Sequence, residues 1–475
     1  MGSSYDVIVI GGGHNGAVAS IVLSLHGLRV LLVDQNYSLG GLAGARTIAG
    51  ASSSRFAYVI GLVPRELNEW LGILPEMYYP EPNWVELNEN DEIVFRWWSD
   101  ETRLVSEFKE HSIDIAGLFR DIRRFWKCYK EHSLYYTPVA PSRGEAAQIL
   151  DKCGASYLVV KTAREILSDY MPRRYWDYFI YPSMLDASGF VLAYYMQNNN
   201  VWGQPGHSML SFSRILRKRL RESGTSMLLG TRVEEFLFEE GAVRGVKTTD
   251  GTTIHSRVVL FAAPITSLLD IRGYERLEEW EIRSIGDAKN STTLRSRVKR
   301  IDYVFSEKPS PPREPSWHGT PVYVKWSNSY GGEYTYIEPM RDTYLVQFSG
   351  FAKDVFEVLP PGSNEKALKT YDVRDARNQV ACCRNYTGHP DHLPMIDKYL
   401  FDKRPVPGWN DYRTSIPCLY HGSASSYPGG EINGVAGLNA AIRILLDFGI
   451  KPRLPGLVVR VGHESSSRSK WGVYC

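Results

Sequence analysis

The sequence lacks the features that mark secreted, membrane-spanning and disulfide-built proteins. It has only six cysteines and no Cys-x-x-Cys pair, which favours reduced thiols over a disulfide framework or a zinc ribbon. No apolar run approaches the about 20 residues that a membrane-spanning helix needs. A strand-like segment begins within the first residues and leaves no room for a signal peptide. We therefore expect a cytoplasmic protein with no integral membrane segment, and peripheral membrane contact is left open.

An excess of charge of one sign is also missing. The 55 basic residues nearly balance the 53 acidic ones, for a net charge of +2, so electrostatics gives no reason to expect a nucleic-acid partner. Metal-binding patterns are equally scarce. His389, Asp391 and His392 lack a further well-spaced ligand, so we interpret them as a polar loop and predict no metal site.

Length and aromatic content are the first positive signals. A chain of 475 residues exceeds one ordinary hydrophobic core, which predicts two intertwined domains. The chain has 29 tyrosines and 12 tryptophans, and aromatic residues crowd the stretch from about residue 55 to 200. Aromatic residues at any one position fill a core or line a cavity. In this number they offer material for an apolar or aromatic binding pocket.

A glycine turn near the start of the chain is the strongest motif. The apolar run Val7–Ile10 predicts a buried strand, and Gly11, Gly13 and Gly16 follow it with the spacing G-x-G-x-x-G. In this arrangement the first glycine allows a tight turn, the second lets backbone approach a pyrophosphate, and the third lets a helix lie close to the strand. The helix that follows has a predicted buried face of Val18, Ile21, Val22 and Leu25.

A second strand and a carboxylate complete this unit. Val30–Val33 predicts the strand, and Asp34 lies about 20 residues past the glycines, where an acid accepts a hydrogen bond from a ribose hydroxyl. The same carboxylate would repel a 2′-phosphate, which argues against NADP. The unit therefore predicts an adenine dinucleotide ligand, with a structural βαβ unit as the alternative.

Further motifs carry a family resemblance. Gly40 and Gly41 form a second glycine bend after Asp34. Together with the first turn they resemble the FAD-binding start of the amine oxidase and phytoene desaturase superfamily. The tripeptide Gly13-His14-Asn15 most resembles its phytoene dehydrogenase-like branch. One departure is Leu42, which stands where members often carry an arginine.

The resemblance implies an α/β fold, in which a Rossmann-type FAD-binding domain of the glutathione reductase kind is interleaved with an α+β substrate domain. We expect the discontinuous FAD-binding domain at residues 1–75, 201–270 and 395–455. The substrate-binding domain is then expected at 76–200 and 271–394, and 456–475 is expected to be a poorly ordered tail. The resemblance thus implies FAD as the cofactor.

The resemblance also implies individual site residues. In the superfamily, the residue matching Val233 holds the adenine through its backbone. The closing motif includes Gly422, Ser423, Gly430, Glu431 and Ile432 and precedes a helix from about Val435, whose start would face the flavin. The cofactor-binding set is completed by Gly11, Gly13, His14, Asn15, Gly16, Asp34, Gly40 and Gly41.

Catalytic side chains are not determined by the sequence. Hydride transfer to a flavin requires no conspicuous base, since the cofactor carries the chemistry. The candidates are His207, in a glycine-rich loop where members commonly have a second glycine, and Lys325, on a predicted substrate-domain strand. A loop histidine and an exposed strand lysine are the alternatives.

The leading hypothesis is an FAD-dependent dehydrogenase, desaturase or oxidase that abstracts a hydride from a C–H bond of a hydrophobic or aromatic small molecule, with electrons passed to oxygen or a quinone. A second hypothesis is a flavin-dependent isomerase or saturase of the same family. A third is a non-catalytic binding protein like the GDP-dissociation inhibitors, which resemble this fold but bind no flavin. An intact cofactor motif favours the enzymes.

Overall fold

The computed structural model describes residues 5–206, 208–291, 299–326, 331–340, 343–351, 356, 358–374 and 391–459. The strands in chain order are β1 Tyr5–Ile10, β2 Val30–Asp34, β3 Ala45–Ile48, β4 Ala51–Ser54, β5 Met77–Tyr78, β6 Trp84–Leu87, β7 Ile93–Trp97, β8 Gln204–Pro205, β9 Ser226–Leu229, β10 Val233–Glu239, β11 Ala242–Thr248, β12 Thr253–Phe261, β13 Lys299–Phe305, β14 Val322–Trp326, β15 Gly331–Met340, β16 Thr343–Phe351, β17 Leu368–Arg374 and β18 Leu419–His421. The helices are α1 His14–Leu25, α2 Arg65–Leu71, α3 Glu101–Glu110, α4 Ala116–Glu131, α5 Arg143–Asp151, α6 Tyr157–Val160, α7 Ala163–Ser168, α8 Phe190–Tyr195, α9 Met209–Glu222, α10 Glu279–Asn290 and α11 Val435–Asp447.

The first sheet has the order β10-β11-β12-β1-β2-β9, and β18 pairs with β12. β1 is parallel to β12 and β2, β2 is parallel to β9, and β12 is parallel to β18. The hairpin β11–β12 is antiparallel and turns at residues 250–251. This is the doubly wound α/β arrangement expected from the sequence. In such sheets ligands bind at the carboxyl ends of the parallel strands.

The central strand β1 is buried because it separates two hydrophobic cores. Val7 and Val9 pack into one core, and Ile8 and Ile10 pack into the other. Successive side chains of a strand point to opposite faces, so a strand covered on both faces must be apolar throughout. This is why the run Val7–Ile10 has no polar alternation.

Helices α1 and α11 pack against each other beside this sheet. Val18, Ile21 and Val22 are buried, as predicted. The prediction for Leu25 is wrong: its side chain is 54% exposed, because α1 ends at this residue and the chain turns away. The prediction that α11 begins at Val435 is confirmed.

The second sheet has the order β17-β13-β16-β15-β14-β6-β7. Neighbouring strands are antiparallel except the parallel pair β14 and β6. The strand predicted around Lys325 is confirmed as β14. Strands of the first sheet come from residues 5–34, 226–261 and 419–421, and those of the second from 84–97 and 299–374. The exact domain boundaries stay predictions.

Much of the aromatic stretch is core. Trp97, Tyr129, Tyr135 and Tyr194 have no exposed surface. The rings of Trp84 and Trp97 stack with their centroids 5.1 Å apart. Within the described parts of the chain, no helix combines the length and apolarity that a membrane span needs.

The cysteine prediction requires a correction. Cys128 in α4 and Cys153, just past α5, form a disulfide with a Cα–Cα distance of 6.4 Å. This pairing was not predictable from spacing, because 25 residues separate the two cysteines. Tertiary packing of α4 on α5 brings them together. The expectation of uniformly reduced thiols therefore does not hold for this pair.

Candidate functional site

The three glycines of the first turn have three different environments. Gly11 has a φ of +112°, and a side chain there would press on the backbone of Ala262 and Ala263. A side chain on Gly16 would overlap the carbonyl oxygen of Gly11, so this glycine sets the close approach of α1 to β1. At Gly13 an added Cβ would meet no atom within 4 Å. The middle glycine therefore faces open space, where a ligand can approach the backbone.

The start of α1 offers donors to that space. Gly13 is the N-cap of α1 and makes no side-chain capping bond. The first N–H groups of a helix have no partner within the helix, and the helix dipole adds partial positive charge there. Gly13, His14 and Asn15 all line the cavity described below. An anionic group such as a pyrophosphate matches this surface.

The carboxylate of Asp34 is held at the end of β2. It accepts hydrogen bonds from the N–H of Gly12 at 2.6 Å and from the N–H of Asn36 at 2.7 Å. Burial raises the pKa of Asp34, and these amide bonds oppose the rise. Asp34 lines the cavity, where a ribose hydroxyl is the predicted partner. It therefore also fixes the glycine turn, a role that the sequence analysis did not include.

The second glycine bend packs against the first. The N–H of Gly40 donates to the carbonyl of Gly12 at 2.8 Å, and Gly40 and Gly41 have φ values of +105° and +59°. A side chain on Gly41 would lie 3.3 Å from the Cα of Gly13. Both glycines line the cavity. Small residues are needed at this bend because two backbone turns and the cavity wall meet there.

A cavity of about 1020 Å³ lies between the first sheet and the second. This is at the upper end of the volume of small-molecule sites, which reach about 1,000 Å³. One end is lined by Asp34, Gln35, Asn36, Thr231, Arg232 and Val233. The other end is lined by Tyr178, Phe179, Tyr181, Trp202, Val322, Val324 and Glu333. The cavity thus extends from the edge of the first sheet, where a nucleotide is predicted to bind, into a region lined by aromatic and aliphatic side chains.

The closing motif contributes fewer cavity residues than predicted. Of its described residues, Ala424, Glu431 and Ile432 line the cavity, while Gly422, Ser423 and Gly430 do not. Gly422 faces α11, and a side chain there would approach the Cβ of Ala440 to 2.6 Å. The hydroxyl of Ser423 accepts the N–H of Ser425 at 3.1 Å. These two residues therefore pack and cap the turn that presents Ala424.

Gly430 is glycine because of Asp391. A side chain at position 430 would overlap the side chain of Asp391. The carbonyl of Gly430 accepts hydrogen bonds from the hydroxyl of Tyr194 at 2.8 Å and the amide of Asn433 at 2.6 Å. The next residue, Glu431, has a φ of +61°. A non-glycine residue in this region is strained, and such strain concentrates at functional sites.

Three carboxyl groups gather near this strained residue. Glu333 comes from β15, Asp391 from a loop, and Glu431 from the closing motif, and electrostatic coupling connects Glu431 to both others. Burial raises the pKa of Glu333 to about 7 and that of Asp391 to about 6. Burial also raises the pKa of Glu431, and the nearby acids add to the rise. Near neutral pH Glu333 is therefore partly protonated and Asp391 mostly ionised, while Glu431 is shifted toward its protonated form.

Tyrosines hold two of these carboxyl groups. The hydroxyl of Tyr58 donates to Glu333, and that of Tyr195 donates to Asp391 at 3.2 Å. Sequence reasoning missed the group, because its members are far apart in the chain. The only hint in the sequence was the polar run around Asp391, which we interpret as a loop. His392 lines the cavity, and His389 lies outside the described residues.

The ring of His14 bridges the first turn and the closing motif. It is hydrogen-bonded to the backbone of Glu431, and its Nε2 lies 3.0 Å from the side-chain Nδ2 of Asn15. Burial lowers the pKa of His14 to about 4, although the bond to Glu431 opposes the shift. The imidazole is therefore neutral at physiological pH. Through His14, the tripeptide at residues 13–15 therefore contacts the closing motif as well as forming the turn.

The two catalytic candidates are Lys325 and His207, and the structure describes only Lys325. The ammonium of Lys325 contacts the carboxylate of Asp91 at 2.6 Å and does not line the cavity. Its neighbours Val322 and Val324 do line it. Lys325 alternates with Val324 along β14 and therefore points to the opposite face. His207 lies outside the described residues.

Comparison with known proteins agrees with this architecture. Residues 9–63 match the family model of the NAD(P)-binding Rossmann-like domain. Cyclohexylamine oxidase from Brevibacterium oxydans is similar with a TM-score of 0.54 and 16% identity, over 94% of this chain and 100% of that one. An oxidoreductase from Methanosarcina mazei is similar with a TM-score of 0.55 and 13% identity, over 93% and 100%. The chain shares the fold of these oxidoreductases.

A curated relative has a similar length. The pyridine nucleotide-disulfide oxidoreductase domain-containing protein 2 of Mus musculus is 20% identical, over 94% of this chain and 94% of its own. The similarity therefore extends well beyond the Rossmann segment at residues 9–63. It includes the segments that form the second sheet and the closing motif.

Proposed function

We propose that the protein is an FAD-dependent oxidoreductase that abstracts a hydride from a C–H bond of a hydrophobic or aromatic small molecule. The observation that carries the proposal is the continuity of the cavity. It begins at the open face of Gly13 and ends among the aromatic side chains beside the second sheet. One ligand can thus be anchored by its phosphates at α1 while its reactive end meets a second ligand.

The residues present fit FAD. Gly13 leaves room for the pyrophosphate, the amides at the start of α1 favour its charge, and Asp34 lies where a ribose would be. The backbone at Val233 would hold the adenine, and Glu431 and Ile432 would lie near the flavin ring. When bound, FAD supplies a hydride acceptor.

The chain's own residues would bind, orient and exclude water. Tyr178, Phe179 and Trp202 would hold an apolar substrate against the cofactor, and the valines of β14 would close the wall. Glu333 and Glu431 line the same space, and their raised pKa values would let them hold protons there. Electrons would leave to oxygen or a quinone.

The tripeptide Gly13-His14-Asn15 supports the phytoene dehydrogenase-like branch and therefore a desaturation or dehydrogenation. A second candidate is oxidation of an amine. The specific observation in its favour is that Glu333 lines the substrate end of the cavity with a pKa of about 7, so its carboxylate, once ionised above that pH, could attract an ammonium group. The fold similarity to cyclohexylamine oxidase makes that test worthwhile.

Anaerobic flavin bleaching tests the proposal. The FAD-loaded protein is mixed with polyenes, aromatic alcohols and cyclic amines, and the oxidised flavin absorbance is followed. Bleaching by one class, followed by recovery with oxygen or a quinone, supports the proposal and names the substrate class. An altered product without net bleaching would instead indicate an isomerase. A protein that binds no FAD would favour a non-catalytic binding protein.

A further inference from the structure

A second cluster of reactive side chains lies away from the cavity. Cys128 and His132 are one helical turn apart at the end of α4, and Cys153 follows α5. None of the three lines the cavity. We propose that these residues form a redox-gated metal site: a disulfide when oxidised, and a Zn²⁺ site with two thiolates and one imidazole when reduced.

The donor set is one that zinc prefers. Two cysteine sulfurs and a histidine nitrogen are the protein ligands of known Cys₂His zinc sites, which keep a fourth position open for water or another ligand. All three donor atoms here lie within 4.8 Å of one another. Cysteine and histidine four residues apart on a helix share a face, so α4 alone presents two ligands in the required direction.

The distances agree with tetrahedral coordination. Zn–S bonds of about 2.3 Å and Zn–N bonds of about 2.0 Å place sulfur and nitrogen about 3.5 Å apart around one ion. The Sγ of Cys128 and the Nδ1 of His132 are 3.7 Å apart. The Cα atoms of Cys128 and Cys153 are 6.4 Å apart, at the wide end of the about 4.4–6.8 Å that disulfides span. Rotation of the two side chains after reduction can therefore separate the sulfurs without moving the helices.

The imidazole of His132 can rotate toward a metal ion at little cost in free energy. Its Nδ1 lies 3.0 Å from the carbonyl oxygen of Cys128. That carbonyl already accepts the backbone N–H of His132, also at 3.0 Å. Giving up the side-chain bond leaves no buried acceptor without a partner. His132 and Cys153 are half-buried, so ions and small reductants can reach them, while Cys128 is buried.

The chemistry balances with a thiol reductant. A dithiol gives two electrons and two protons to the Cys128–Cys153 bond, which becomes two thiols, and the reductant becomes its own disulfide. Binding of Zn²⁺ then displaces the two thiol protons to solvent. This site carries no sequence motif, because the cysteines are 25 residues apart and only Cys128 and His132 show a recognisable spacing.

Zinc titration of the full-length protein tests the proposal. The protein is titrated before and after anaerobic reduction, in competition with a chromophoric chelator, and Co²⁺ serves as a probe for thiolate coordination. We expect the reduced protein to bind one more equivalent of Zn²⁺ than the unreduced protein or the reduced Cys128→Ser and Cys153→Ser variants. The Co²⁺ form should show thiolate charge-transfer absorption that both variants lack.

The role of the imidazole has its own control. His132→Ala should weaken zinc binding at least about tenfold, since loss of an outer-sphere partner alone typically has an effect of this size. His111→Ala is the matched control, because His111 is the C-cap of α3 as His132 is of α4. Equal zinc affinity in His132→Ala and wild type would overturn the proposal. So would zinc binding by the reduced wild type that does not exceed that of the cysteine variants, which would leave a structural disulfide only.

Discussion

Asn15 connects the two helices that meet at the glycine turn: its Oδ1 accepts a hydrogen bond from the N–H of Gly437 at 3.1 Å. The backbones are so close that a side chain on Gly437 would overlap the backbone of Asn15. The beginning and the end of the chain thus form one wall of the cavity. His14 and Glu431, more than 400 residues apart in the chain, both line that cavity.

Asn15→Ala should therefore affect both stability and cofactor retention. The change leaves the buried N–H of Gly437 without its partner, which costs about 1–3 kcal/mol of unfolding free energy. It also loosens α11 against α1, so FAD content after purification should fall. Denaturant unfolding and the flavin-to-protein absorbance ratio measure the two effects.

Asn439→Ala is the matched control for Asn15. Its Oδ1 accepts the N–H of Thr137 at 3.0 Å, and it is fully buried on α11 but does not line the cavity. We expect a similar loss of stability with unchanged FAD content. Equal loss of FAD in both variants would mean that Asn15 acts only through stability.

The glycine turn allows a sharper comparison. Gly13→Val should fold, because an added Cβ there would meet no atom within 4 Å, and it should lose FAD, because the new side chain would stand where the pyrophosphate approaches. Gly16→Ala should fail to fold, since its Cβ would overlap the carbonyl of Gly11. Circular dichroism and FAD content distinguish the two results. A Gly13→Val protein with normal FAD content would contradict the placement of the pyrophosphate.

Local motifs of this kind are what sequence reasoning predicts best. Gly11, Gly13 and Gly16 act within one turn, so their spacing alone implies their roles. The group of Glu333, Asp391 and Glu431 could not be predicted, because each acid comes from a different segment and only the tertiary fold brings them together. Leu25 shows the opposite error: its helical spacing was right, but the spacing does not show where α1 ends.

The raised pKa of Glu333 predicts a pH-dependent effect on stability. Burial favours the protonated carboxyl in the folded protein, so the folded state binds more protons than the unfolded state between pH 4.5 and about 7. Stability from this group is therefore fully present below pH 4.5 and is lost as the pH rises to 7. Glu333→Gln replaces the ionisable carboxyl with a neutral amide, so this loss of stability with rising pH disappears. The variant should match wild type near pH 4 and be more stable at pH 8, by up to about 3 kcal/mol.

Urea unfolding of FAD-free protein from pH 4 to 8 measures this difference. Glu365→Gln, which removes an exposed carboxylate, is the control and should not reproduce the pH-dependent gain. A stability difference for Glu333→Gln that stays constant with pH would show that the carboxyl is not desolvated in the folded protein.

Lys325→Met should leave flavin reduction unchanged. The ammonium of Lys325 is paired with Asp91 on the side of β14 that faces away from the cavity. Loss of this partly exposed ion pair should reduce the unfolding free energy by at most about 1 kcal/mol. Stopped-flow reduction under single-turnover conditions checks the prediction. A tenfold slower reduction would restore Lys325 as a catalytic candidate.

The central claim is that one FAD molecule occupies the cavity from Asp34 to Ile432. The most direct test is the visible spectrum of the purified protein after incubation with FAD and removal of the excess, with the released nucleotide identified by chromatography. We predict the absorbance of oxidised flavin near about 450 nm and one FAD per chain. A protein that shows no flavin absorbance after this treatment, while remaining folded, would contradict the claim.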